Sequence, residues 1–141
     1  MILDRKHALQ QKLFREFAET EFTKELQDEL DETGEFNWEM HKKMSRYGFM
    51  GVKIPEEYGG AGADSLTYVL MDEEFARQDA VLAIYANTSN SLGGGPLLLA
   101  GSESQKKEYL PQVASGEKIL VFGLTEPGAG SDAGGTTTTA I

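Results

Sequence analysis

The sequence predicts a mainly helical fold that turns to β structure near its end, and three observations predict it. Apolar residues recur every three or four positions along most of the chain. Helix-start chemistry stands ahead of two of those stretches, at Asp64 and at Ser102 with Gln105. From Lys118 the texture changes: "KILVFGLTE" is a continuous apolar run of strand formers, and "TTTTAI" is rich in β-branched residues. Residues 1–117 therefore read as a helical domain and residues 118–141 as the start of a β domain.

The elements follow in order. Leu9, Leu13 and Phe17, with Phe14 beside them, repeat at helical spacing, and Phe22, Leu26 and Leu30 repeat the same step among charges. One or two amphipathic helices thus precede Thr33 and Gly34, which mark their end. Asn37 stands before "WEMHKKMSRYG", a short helix with Trp38 and Met44 on its apolar side and Gly48 as its stop. The glycine- and proline-rich "GFMGVKIPEEYGGAGAD" reads as a structured loop around a short extended "VKI". Asp64 caps "SLTYVLMDEEFARQD", with Leu66, Val69 and Leu70 inward, and a further helix starts after Asp79 and Ala80. Ser102 and Gln105 form a capping box ahead of "KKEYLPQVASG", in which Pro111 is expected to kink or shorten the helix.

A chain of 141 residues accommodates one domain with a real core and part of another. Its 23 acidic against 13 basic side chains give a net charge of −10, which repels a polyanion and argues against nucleic acid as a partner. The absence of cysteine removes disulfides, thiolate metal sites and cysteine nucleophiles. His7 and His41 lie in charged helical segments without a ligand-spaced partner, so both are expected at the surface and no metal is expected. No stretch is long and apolar enough to span a bilayer, and the N-terminus resembles neither a secretory signal nor a transit peptide. A soluble cytoplasmic protein is the expectation. Trp38, Phe49 and Tyr58 read as packing residues and "DELDE" at 28–32 as a solvated helical face.

The stretch that points to chemistry is "GLTEPGAGSD", residues 123–132. A glycine-rich turn after a strand lets backbone amides approach an anion. It is neither the dinucleotide fingerprint nor the P-loop, because Gly130 is followed by Ser131, Asp132 and a threonine-rich strand candidate. Any phosphate would bind on a β scaffold. By itself the stretch reads equally as a turn in which Ser131 or Asp132 bonds the local backbone. Glu126 and Asp132 flank it as local caps or charge pairs rather than as an acid–base couple. The polar "NTSNS" at 87–91 either ends its helix, since Asn and Ser compete for backbone hydrogen bonds, or lines a pocket.

Three stretches together resemble the acyl-CoA dehydrogenase flavoproteins: the decapeptide, "GVKIPEEYGGAG" at 51–62, and "NSLGGGPLLLAGSESQKKEYLPQVASGEKI" at 90–119. The resemblance implies an N-terminal helical domain followed by the first strands of a middle β domain. It implies FAD as cofactor, held by the decapeptide from Gly123 and by Phe122 before it. Phe122, Leu124 and Thr125 match positions at the pyrimidine edge of the flavin, and Gly130 and Ser131 match the turn near the pyrophosphate. Ser131 also matches a contact to the CoA part of the substrate, while Thr88 and Leu92 match the closed end of the acyl pocket. Donors such as the Thr125 hydroxyl would stabilise a flavin edge that gains negative charge on reduction.

The implied activity is oxidation of acyl-CoA to 2,3-enoyl-CoA by a longer enzyme. Its base is a glutamate of a C-terminal domain that no residue here matches, so this stretch alone is expected to be inactive. Electron-transfer flavoprotein and a homotetramer are the implied partners. Two other readings stay open: a non-catalytic helical interaction module, and an acyl-CoA oxidase or nitroalkane oxidase of the same fold.

Overall fold

The computed structural model describes residues 3–139. Its α-helices are α1 (Arg5–Glu21), α2 (Lys24–Thr33), α3 (Trp38–Arg46), α4 (Ser65–Gln78), α5 (Ala80–Asn87), α6 (Gly94–Ala100) and α7 (Glu103–Ala114). Most begin on a side chain suited to it. Asp4, Thr23, Asn37, Asp64, Asp79 and Ser102 each accept a hydrogen bond from a first-turn amide that the helix cannot satisfy itself. At Ser102 the bond is reciprocal, completing the expected capping box. Gly34 and Gly48 follow α2 and α3 at φ 64° and 79°, a left-handed conformation that glycine adopts without a Cβ penalty. α7 runs through the exposed Pro111 to Ala114, so the proline does not shorten it.

The main core forms where α1 lies along α4 and α5 packs beside α4. Phe75 is fully buried there, its ring centroid 5.1–6.3 Å from those of Phe14, Phe17, Phe22 and Phe49. Glu74, one position earlier, is buried as well. Its carboxylate accepts from Arg15 Nε (2.9 Å) and Nη2 (2.8 Å), from Gln11 Nε2 (2.8 Å) and from Arg77 Nη1 (3.2 Å). The Arg15 hydrogen bonds hold the Glu74 carboxyl below its usual range, and the network fixes how α1 lies on α4.

A second clasp joins the starts of the same helices. Asp64 accepts from the Thr67 amide at 2.8 Å, His7 Nε2 lies 3.0 Å from the Asp64 carboxylate, and His7 Nδ1 lies 2.9 Å from Asp4. The Thr67 amide bond, followed by the His7 contact, pushes the Asp64 carboxyl well below the ordinary carboxylate range. A depressed native value means that the stabilisation is complete above the unfolded value of about 4 and is lost as pH falls through the native one. The urea midpoint of Asp64→Asn is therefore expected below that of the wild type at pH 7, with the gap closing as the pH is lowered below about 4. A gap unchanged between pH 7 and pH 2 would show that the clasp does not contribute in this way.

A smaller core of Ile54, Tyr58, Leu110, Val113 and Ala114 lies between α7 and the loop that follows α3. That loop straddles both cores, with Val52 in the first and Ile54 in the second. "VKI" is consequently bent rather than extended, Val52 taking φ −55° and ψ −46°.

Packing reverses several orientations expected from the sequence. Leu9 and Leu13 are exposed while Phe14, Phe17 and Ala18 face α4, and Val69 points outward while Leu70 is buried. Trp38 is exposed at the start of α3, whose inner face is Met40, His41 and Met44. His41 is not at the surface: it is 1% exposed, and its Nε2–H donates to the Gly116 carbonyl at 2.9 Å. His7 is largely covered by its two carboxylates.

The expected strands are absent among the described residues. "KILVFGLTE" has no strand partner: its Lys118 amide donates to the Gln112 carbonyl at the end of α7 (3.0 Å), and the only β pairing among the described residues is an isolated bridge between Glu126 and Ala129. A strand requires a neighbouring ladder of N–H and C=O groups, and none lies beside this run. Thr136–Thr139 likewise form no strand, and the last two residues of "TTTTAI", Ala140 and Ile141, lie outside the described residues.

Candidate functional site

In the decapeptide, Pro127 and Gly128 form a tight bend. The Glu126 amide donates to the Ala129 carbonyl (3.0 Å) and the Ala129 amide donates back to Glu126 (3.1 Å). Ala129 is buried, whereas Gly123, Leu124, Thr125, Gly130 and Ser131 are exposed. Phe122 exposes 52% and Leu124 43% of its surface, and with Val121 at 81% they put three large exposed apolar side chains within four positions. Among the described residues, the amides of Leu124, Thr125, Gly130 and Ser131 and the hydroxyls of Thr125 and Ser131 have no hydrogen-bond partner. A Cβ built on Gly123, Gly128 or Gly130 would meet nothing within 4 Å. Space therefore surrounds these amides.

That donor set has a definite chemical fit. Unpaired N–H and O–H groups suit the carbonyl and nitrogen edge of a flavin ring and the oxygens of a pyrophosphate, and the exposed Phe122 and Leu124 suit the ring's apolar body. The residues at 122–131 thus fit FAD. The same run offers no general base. Glu126 is held down to about 2, first by its hydrogen bonds with Thr138 and then by those with Thr137.

The second predicted region, 87–91, does not end its helix. α5 continues into a π-turn, Thr88–Gly93, and then directly into α6. π-turns are uncommon and concentrate at functional sites. Its inner face is polar and fully used. Asn90 Oδ1 accepts from the Lys53 amide (2.9 Å), and Asn90 Nδ2 donates to the carbonyls of Phe49 (2.7 Å) and Ala86 (2.9 Å). Asn87 Nδ2 donates to the Tyr68 hydroxyl at 2.7 Å and lies 3.4 Å from Asp72, whose carboxyl is pushed up by burial. Thr88 and Leu92 lie on the other face: Leu92 is exposed and Thr88 is half-buried, its hydroxyl donating to the Ile84 carbonyl.

The two regions meet through glycine. A Cβ on Gly93 would lie 2.4 Å from the Cβ of Leu120, so the π-turn touches the chain two positions before Phe122. A cleft of about 420 Å³ opens there between Gly93, Leu97, Tyr109, Leu120 and Val121. The bracing role of Asn90 escaped the sequence reading, because its partners at 49 and 53 lie in another element; only the rare cluster of Asn and Ser marked it. No helix among the described residues is long and apolar enough to cross a membrane, and none of their His, Asp and Glu side chains cluster as a metal site would require.

Comparison with known proteins converges on one family. The pattern of the family described as "Acyl-CoA dehydrogenase, N-terminal domain" matches residues 4–117. The chain is 50% identical over 141 residues to the caffeyl-CoA reductase-Etf complex subunit CarC of Acetobacterium woodii, covering all of this chain and 37% of that protein. Among solved structures it is similar to butyryl-CoA dehydrogenase of Megasphaera elsdenii, with TM-score 0.85, 35% identity, 98% of this chain and 37% of the other. It is also similar to a glutaryl-CoA dehydrogenase from Mycobacterium smegmatis in complex with FADH2, with TM-score 0.87, 31% identity, 96% of this chain and 35% of the other. The chain thus spans little more than a third of the length of these relatives.

Proposed function

The chain belongs to the acyl-CoA dehydrogenase family, and from that premise we propose that it is the N-terminal part of an FAD-dependent enzyme interconverting acyl-CoA and 2,3-enoyl-CoA. FAD, when bound, supplies the two-electron acceptor or donor for that reaction. Backbone groups of Phe122, Leu124 and Thr125 and the Thr125 hydroxyl hold the pyrimidine edge of the ring, and Gly123 belongs to the same cofactor-binding stretch. Gly130 and Ser131 hold the pyrophosphate, and Ser131 also meets CoA. Thr88 and Leu92, on the open face of the π-turn, limit the acyl chain. Residues 1–117 form the helical domain, and 118–141 open a β domain whose further strands pair with the run that stands alone here.

The direction of catalysis follows the electron partner. CarC is named as a caffeyl-CoA reductase subunit in a complex with Etf, which favours electron-transfer flavoprotein as partner and admits reduction of an enoyl thioester as well as its formation. The donors at 122–125 favour the charge-rich reduced ring, which raises its potential, easing hydride uptake from an acyl thioester and restraining hydride donation to an enoyl thioester. The working enzyme is a homo-oligomer.

The observation that carries this reading is the exposed row of unpaired donors flanked by Phe122 and Leu124. Its test is Thr125→Ala in the full-length protein. A hydrogen bond made chiefly to the reduced ring is lost, so the flavin midpoint potential is expected to fall by about 30 mV or more. FAD affinity, read by fluorescence quenching, is expected to drop as well. A full-length protein that takes up no FAD removes the reading, and an unchanged potential removes the role of Thr125.

A further inference from the structure

The Glu126 side chain reaches across the segment that carries the decapeptide. Its Oε2 accepts from the Thr137 amide (2.8 Å) and hydroxyl (3.1 Å), and its Oε1 accepts from the Thr138 amide (3.0 Å). Its backbone is already tied to Ala129 across the Pro127–Gly128 bend. The carboxylate thus closes a ring from 126 to 138 that contains Gly128, Gly130, Ser131 and the short turn Ala133–Gly135.

Two physical consequences follow. Glycine-rich backbone has much conformational freedom to lose, and a segment ordered before its ligand arrives does not lose that freedom on binding. A free carboxylate beside a pyrophosphate would also repel it, whereas this one already has three donors turned toward it. Its lone pairs are engaged in structure, which leaves it no role in proton transfer.

We propose that Glu126 is a positioning residue: by tying Thr137 and Thr138 to the bend, it sets the Gly130–Ser131 turn in its cofactor-binding shape before FAD arrives. The inference rests on the FAD reading of that turn. Glu126 contacts neither FAD nor substrate and acts through the backbone.

Glu126→Ala and Glu126→Gln in the full-length protein test it. The dissociation constant for FAD is expected to rise about tenfold in the alanine variant and less in the glutamine variant, which keeps one acceptor oxygen. In the cofactor-free proteins, amide exchange at Thr137 and Thr138 is expected to speed up in the same order. The melting temperature of the helical part stays unchanged, because Glu126 lies outside both cores. FAD binding by the alanine variant equal to that of wild type, or unprotected Thr137 and Thr138 amides in the wild type, overturns this proposal alone. A wild type that takes up no FAD overturns it together with the cofactor reading.

Discussion

Phe75→Ala is expected to lower the stability of the helical part by about 3–5 kcal/mol, the range for emptying a buried phenylalanine site. The ring is completely enclosed and contacts four other rings contributed by α1, the turn after it and the loop after α3. Those rings come from separate elements, each fixed by other contacts, so the hole cannot close by one side chain moving. Dispersion contacts and the edge-on aromatic geometry are lost together. For a chain of this size the melting temperature would fall by roughly 10–15 °C. Urea denaturation followed by circular dichroism at 222 nm measures it, with Leu13→Ala as control. Leu13 is exposed, and its loss is expected to cost no more than about 0.5 kcal/mol. Equal losses at the two positions would mean that the core has been assigned wrongly.

Gly60→Ala is the second large effect. A Cβ at this position would lie 2.0 Å from the Ile54 carbonyl oxygen and 2.5 Å from its carbon, well inside van der Waals contact with backbone rather than with a side chain that could swing away. The clash comes from how the loop closes on itself. Gly62 donates to the Ile54 carbonyl (2.9 Å), Ala61 to Gly51 (2.8 Å) and Ala63 to Val52 (2.8 Å), drawing two stretches of backbone together. Relief requires breaking these bonds or moving Ile54 out of the smaller core. The cost is expected at or above the upper end of the range for overpacking, about 3 kcal/mol. Asn90 holds the other side of this loop, so the disturbance reaches the π-turn. Faster amide exchange at Lys53 in Gly60→Ala, with α1 and α4 protected as before, is the expected signature. Wild-type protection at Lys53 would show that the loop absorbs the methyl group locally.

How much was legible depended on how far apart the interacting groups lie in the sequence. The caps at Asn37, Asp64 and Ser102 were readable because each side chain bonds an amide three positions away. The left-handed glycines after α2 and α3 were readable for the same reason. The inward face of α1 was not. Leu9–Leu13–Phe17 and Phe14–Phe17–Ala18 both obey the helical period, and only contact with α4 selects the second. His41 looked like a surface residue because the carbonyl it serves, at Gly116, is 75 positions away. The decapeptide was conspicuous from its residues alone, whereas the strap from Glu126 to Thr137 was not, since a carboxylate beside a turn has many possible local partners.

By itself, then, the sequence determined the helix starts at Asn37, Asp64 and Ser102 and the glycine stops at Gly34 and Gly48, that the chain turns from helix-forming to strand-forming near Lys118, and which ten residues form the glycine-rich bend. All of these are set by interactions within a few positions. The tertiary structure decided which side of each helix is buried, that the helix continues through 88–93 as a π-turn, and that the apolar run after Lys118 stays unpaired here. Burial and strand pairing need a partner surface from elsewhere in space, and periodicity describes only the element that seeks one.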